Sequence, residues 1–261
     1  MKLYYDEEYN ILKDIHDLTP SECLIISDQE GSKAYDEAAK IIDDILSERG
    51  LSRWVDNSKS EFPPDLINEQ DLLAMEVMRV DDHSSNGKKN PVLAKQRVMS
   101  EEARGLVEQM PNHPPLIINA ITDLPTERDH NYRFYCSSFQ RALRKHLSKL
   151  PQYKENYPNS KIIFCIFDET SGVYFERATA MSDYGAGGRI HFPFCDKRFL
   201  DEFMESDLDY LMWYIPYNHY ETIGPHLTLP HLIIFDIKNA KKNPDFKRLD
   251  YDEKMMVSNE K

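Results

Sequence analysis

The sequence predicts an α/β protein with a mixed central sheet flanked by helices. Three observations carry that prediction. Residues 33–49 place Ala34, Ala38, Ile41, Ile42 and Ile45 on one helical stripe. Residues 116–121 and 162–167 are nearly continuous apolar runs of strand length, the pattern of strands buried on both faces. Between those runs, residues 131–149 form an amphipathic helix with Phe139, Ala142, Leu143 and Leu147 inward. Strand, helix, strand in that order predicts a βαβ unit with a right-handed crossover.

The remaining elements follow from local signals. Residues 5–19 predict a short helix, with Ile11, Leu12 and Ile15 on one face and Pro20 as its stop. Residues 23–27 read as a short strand. Gly50 is placed to end the helix over 33–49, and 51–55 reads as a strand. Residues 71–80 favour a strand ending at Asp81 and Asp82. Residues 83–92 are polar and turn-rich, and 93–109 look helical. Residues 173–177 predict an outer strand, and 183–190 a glycine-containing loop. Asp196 is placed to cap a helix over 197–205, and 210–215 and 232–237 predict two more strands. One α/β domain over 1–238 is expected, with a charged, extended and partly disordered tail over 239–261.

Composition narrows the function. With 261 residues, 41% hydrophobic and 30% charged, the chain can bury a large core. It contains no apolar run long enough to span a membrane. Its acidic start lacks an apolar leader, so a cytoplasmic protein is expected. Cys23, Cys136, Cys165 and Cys195 are widely spaced, without a CxxC pair, and read as reduced thiols. The net charge of −13 argues against unspecific affinity for nucleic acid. It is compatible with metal-binding acids, or with an acidic surface that engages a basic or nucleic-acid-binding protein partner.

One stretch stands out chemically. Phe62-Pro63-Pro64-Asp65-Leu66 precedes the strand that carries Glu76. An acid at a strand start and a second acid on the neighbouring strand can share one divalent cation. Hard oxygen ligands suit Mg²⁺ or Mn²⁺. Such a cation activates water and polarises a phosphoryl oxygen. The order and spacing resemble the restriction-endonuclease-like PD-(D/E)XK nucleases, whose core is a helix, three strands, a helix and a strand. The resemblance covers roughly residues 33–167, with 82–115 as an insertion and 168–238 as an extension. It implies a divalent-metal-dependent nuclease, or a degenerate relative, with Asp65, Glu76 and the Val77 carbonyl as metal ligands and Asp36 or Glu37 as an outer acid.

The chain departs from that pattern at Met78, where those enzymes carry lysine. Residues 76 and 78 of a strand share a face and 79 takes the other, so Arg79 would serve only if a bulge turned it inward. Lys88 and Lys89 are the other candidates. A basic line on the 131–149 helix, Arg141, Lys145 and Lys149 at i, i+4 and i+8, would track phosphates and is the expected substrate-binding surface. Two rival groups are also present. One is Asp81, Asp82, His83, Asp123, Asp129 and His130. The other is Asp236-Ile237-Lys238 paired with Asp168 and Glu169.

Overall fold

The computed structural model describes residues 8–57, 64–82, 131–170, 173–177, 189–216, 230–243 and 245–258. Helix α1 (Glu8–His16) buries Ile11, Leu12 and Ile15, as its spacing requires. Strand β1 (Cys23–Ile26) follows a 3₁₀ turn at Pro20–Glu22. Helix α2 (Lys33–Leu46) starts at Ser32, whose hydroxyl accepts a hydrogen bond from the Tyr35 N–H. It buries Ala38, Ile41, Ile42 and Ile45.

The short helix α3 (Glu48–Leu51) replaces the expected start of a strand at 51, and β2 (Val55–Asp56) is only two residues long. Gly50 does not end α2. It is buried inside α3, and a Cβ there would lie 1.5 Å from the Asp44 carbonyl oxygen. The residue permits a close approach of backbones, which sequence spacing alone reads as a helix stop.

Strands β3 (Leu66–Asn68) and β4 (Leu73–Val80) form an antiparallel hairpin. Its turn ends at Leu72, the one non-glycine residue with positive φ among the described residues (53°). Arg53 and Asn68 both donate to Asp71 beside it, at 2.8 and 2.9 Å. Helix α4 (Tyr132–Leu147) is capped by Asn131 and followed by α5 (Leu150–Asn156) and β5 (Lys161–Asp168). Strand β5 pairs parallel with β4 in unbroken register from Leu73↔Lys161 to Val80↔Asp168.

Beyond β5 come β6 (Tyr174–Glu176), β7 (Arg189–Ile190), α6 (Lys197–Glu205), β8 (Tyr210–Tyr214), β9 (Leu232–Asp236), the single turn α7 (Ile237–Ala240) and β10 (Met256–Ser258). As expected, the Asp196 carboxylate caps α6, accepting from the Arg198 N–H.

The main sheet has seven strands in the order β1-β9-β8-β5-β4-β3-β2, both parallel and antiparallel. The expected extension therefore continues the same sheet through β8 and β9. A second sheet orders β10-β6-β7. Alternate residues of the central strands feed two cores. Ala74, Met78, Phe164, Ile166 and Trp213 pack against α4, α5 and α6. Met75, Val77, Ile163, Cys165 and Met212 pack against α1 and α2. The result is a three-layer α/β/α arrangement, built by strands that are apolar on both faces.

The segment beyond Asn239 corrects an expectation. It is not an extended, partly disordered tail as far as Ser258: β10 pairs with β6, and Tyr251 is 1% exposed. Its charged residues lie at the surface around the buried Tyr251. The expected strand over 116–121 and the elements over 83–109 lie outside the described residues.

Candidate active site

The hairpin register places the two acids of the Pro-Asp motif. Leu66 faces Met75, so the next position outward sets Asp65 opposite Glu76. Directly opposed residues of an antiparallel pair project to the same side, with Cβ atoms about 5 Å apart. Glu76 shares its face with Ala74 and Met78, the face covered by α4. On β4, strand β3 pairs only with Leu73, Ala74 and Met75, and β4 continues for five further residues. The Val77 N–H, just past that limit, donates to Asp65 Oδ2 at 2.8 Å. The N–H and C=O of one strand residue point to the same side, so the Val77 carbonyl opens toward the same gap.

A cavity of about 510 Å³ lies at this gap. One wall carries Asp65, Glu76 and Val77, and Glu8 of α1 joins it. The other wall is a face of α4 and the residues after it: Ser138, Arg141, Lys145, His146 and Lys149. The structure thus brings together the two acids and the basic line, elements more than sixty residues apart in sequence. Lys149 is half-buried, and Arg141 and Lys145 are exposed.

The electrostatics are those of a site short of positive charge. The Asp65 carboxyl is pushed up to about 7, first by burial and then by the neighbouring Glu76; the Val77 N–H and Lys149 oppose the rise, and Glu8 adds to it. Glu76 is 3% exposed. His146 Nδ1 is hydrogen bonded to its Oε1 at 2.7 Å, while Oε2 is buried without a hydrogen-bond partner among the described residues. Tyr153, itself fully buried, stands beside Glu76, and burial first, then that carboxylate, raises its phenol far above the usual range.

Several expectations change. Arg79 borders the cavity, but its guanidinium lies 3.8 Å from Glu169 and over the Phe167 ring, on the opposite face of the sheet. The unbroken β4–β5 register leaves no bulge to turn it inward, so Arg79 does not replace the missing lysine. Lys88 and Lys89 lie outside the described residues. Glu37 binds Lys161 at 2.7 Å, away from the cavity, and Glu8 occupies the place foreseen for an outer acid on the first helix. Arg133 and Arg144, two further basic residues of α4, are paired with Glu253 and Glu202.

The rival group of Asp236, Lys238, Asp168 and Glu169 does not converge. Asp236 pairs with Tyr210, at the end of β8 that meets Ile163, so it stands at the opposite end of the sheet from Asp168. Asp236 caps α7, and Lys238 binds Asp209. Asp168 is buried and accepts from Tyr135, Thr170 and Trp213. Asp82 is buried and accepts from the Tyr174 hydroxyl at 2.6 Å. His83, Asp123, Asp129 and His130 lie outside the described residues.

Sequence reading missed His146, Glu8 and Tyr153. His146 carried a signal: it is seven residues after Phe139 and three after Leu143, on the inward stripe of α4. A polar side chain at such a position needs a buried partner, and Glu76 is that partner. Glu8 carried none, because only the packing of α1 brings it here.

The residues present suit a hard divalent cation. Glu76 Oε2 and the Tyr153 hydroxyl beside it are both buried without a hydrogen-bond partner among the described residues, and burial raises the Asp65 carboxyl. Among the described residues no group of three or more His, Cys, Asp or Glu side chains is placed to hold a metal ion, as a zinc site would require. Mg²⁺ needs less from the protein, because it keeps several waters and binds through one or two carboxylates and substrate phosphates. No family model, curated protein or solved structure matches this chain. What the site does is therefore argued from its own geometry.

Proposed function

We propose that the chain is a divalent-metal-dependent nuclease, or a degenerate relative of one, built on a restriction-endonuclease-like core. The observation that carries this reading is the single cavity shared by Asp65, Glu76, Arg141, Lys145 and Lys149. The helix–hairpin–helix–strand order α2, β2-β3-β4, α4, β5, with β5 parallel to β4, agrees with the core that the sequence resembles.

In this reading Asp65, Glu76 and the Val77 carbonyl would hold Mg²⁺ or Mn²⁺. The cation would polarise a phosphoryl oxygen and lower the pKa of an attacking water. His146 holds Glu76 Oε1 and leaves Oε2 for the cation. Lys149, Lys145 and Arg141 bind substrate phosphates. Lys149, the nearest of them to count electrostatically at Asp65, is placed to stabilise charge that develops there, the task of the strand lysine that Met78 replaces. Four unpaired thiols suit a cytoplasmic setting.

The test is titration calorimetry with Mn²⁺ on the wild type and on Glu76→Gln, beside cleavage assays on plasmid and single-stranded substrates. Mn²⁺ binding and cleavage that both disappear in the variant support the reading. A wild type that binds Mn²⁺ without cleavage is the degenerate relative. A wild type that does neither overturns it in favour of an acidic protein that binds a basic protein partner.

A further inference from the structure

We propose that the cavity accepts a single polynucleotide strand, with three successive phosphates laid along the C-terminal half of α4 and the residue just beyond it. This rests on the reading that the site handles phosphodiesters. The cations explain the choice. Arg141 and Lys145 lie on one face of α4, Lys149 follows just past its C-terminus, and each four-residue step along the helix advances about 6 Å. That step is comparable to the separation of neighbouring phosphates on an extended strand. Lys145 and Lys149 make no ion pair among the described residues, so they are available to a ligand.

A duplex would present a second phosphate strand, and the described residues offer it no second row of cations. The facing wall is acidic, with Glu8, Asp65 and Glu76. Arg133 and Arg144, the neighbouring basic residues of α4, are already paired with Glu253 and Glu202. The second strand would meet like charge on a protein of net charge −13. A single strand seats its phosphates on the α4 row and leaves the phosphate at Lys149 nearest the two acids.

The experiment is fluorescence anisotropy with labelled DNA and RNA oligonucleotides of one sequence, single-stranded and as duplexes, over a range of salt. EDTA is present throughout, so the metal reading plays no part. The single strand is expected to bind about tenfold more tightly than the duplex, with a log–log salt slope of about −2, and Arg141→Ala, Lys145→Ala and Lys149→Ala each reduce that slope by about 0.7. Arg144→Ala leaves it unchanged.

Equal or tighter duplex binding, a slope untouched by the Lys145 and Lys149 variants, or no binding to any oligonucleotide overturns the proposal. Single-strand binding by a protein that never cleaves would leave this proposal standing and remove the nuclease reading. Cleavage confined to duplex would do the reverse.

Discussion

Asp65 is a side chain whose ionised form works against the fold that holds it. Its carboxyl is pushed up to about 7 from an ordinary value of 3.8, chiefly by burial. An acid whose folded pKa is raised binds more protons folded than unfolded, so stability falls as pH rises from 3.8 to about 7 and is then level. Asp65→Asn keeps an oxygen for the Val77 N–H and removes the charge. In EDTA it should stabilise the protein by about 1–3 kcal/mol above pH 7, after a discount for solvent screening, and by progressively less toward pH 4. Urea denaturation at pH 4.5 and pH 8 measures this; an equal effect at both values would sink the electrostatic account. Leu72 is a second residue under local strain. Its left-handed backbone costs a branched residue about 1–2 kcal/mol, and its side chain is half exposed. Leu72→Gly should recover about 1 kcal/mol of that, reduced by the entropy glycine adds to the unfolded chain, measured by thermal unfolding.

At the scale of elements, close approach and register set the site. Helices α2 and α3 meet at Gly50, where a Cβ would overlap the Asp44 carbonyl. Gly50→Ala should force the backbones apart and cost about 1–3 kcal/mol or more. Unchanged chemical denaturation would show that this junction yields freely. The β3–β4 hairpin matters differently. Because β3 stops at its pairing with Met75, the backbone groups that β4 turns away from β5 beyond that point, those of Val77 first, are left for side chains and ligands. A longer β3 would cover Val77 with backbone and leave no room for the Asp65 carboxylate. Helix α4 serves both needs, burying Tyr135, Phe139 and Leu143 while presenting its basic row to the cavity. Most of its packing strength is remote from the row, so the three cations can be replaced singly without loss of the fold.

At the scale of the whole molecule, the chain past β9 is part of the structure. Tyr251 is buried, donates to the Ile190 carbonyl and stacks edge-on against His191. His191 in turn is hydrogen bonded to Asp196, which also accepts from the Tyr132 hydroxyl at the start of α4. Tyr251→Ala should cost about 3–5 kcal/mol, like other large aromatic truncations; a loss under 1 kcal/mol in urea denaturation would show that the terminal segment is only loosely attached. The elements that were legible in the sequence are those whose signals are local. The apolar spacing of α2 and α4, the long apolar runs of β5 and β9, and the Asp196 cap each sit within a few residues. The tail was misread for the same reason: its partners, β6 and Ile190, are about sixty to eighty residues away, and its charges hide its few buried positions. The Pro-Asp motif and the basic line could each be seen in sequence. Their convergence on one cavity, the turning away of Arg79, and the His146–Glu76 contact were decided by tertiary structure. Spacing along a chain determines which residues share a face, whereas the order of strands and the packing of helices on them determine which faces meet.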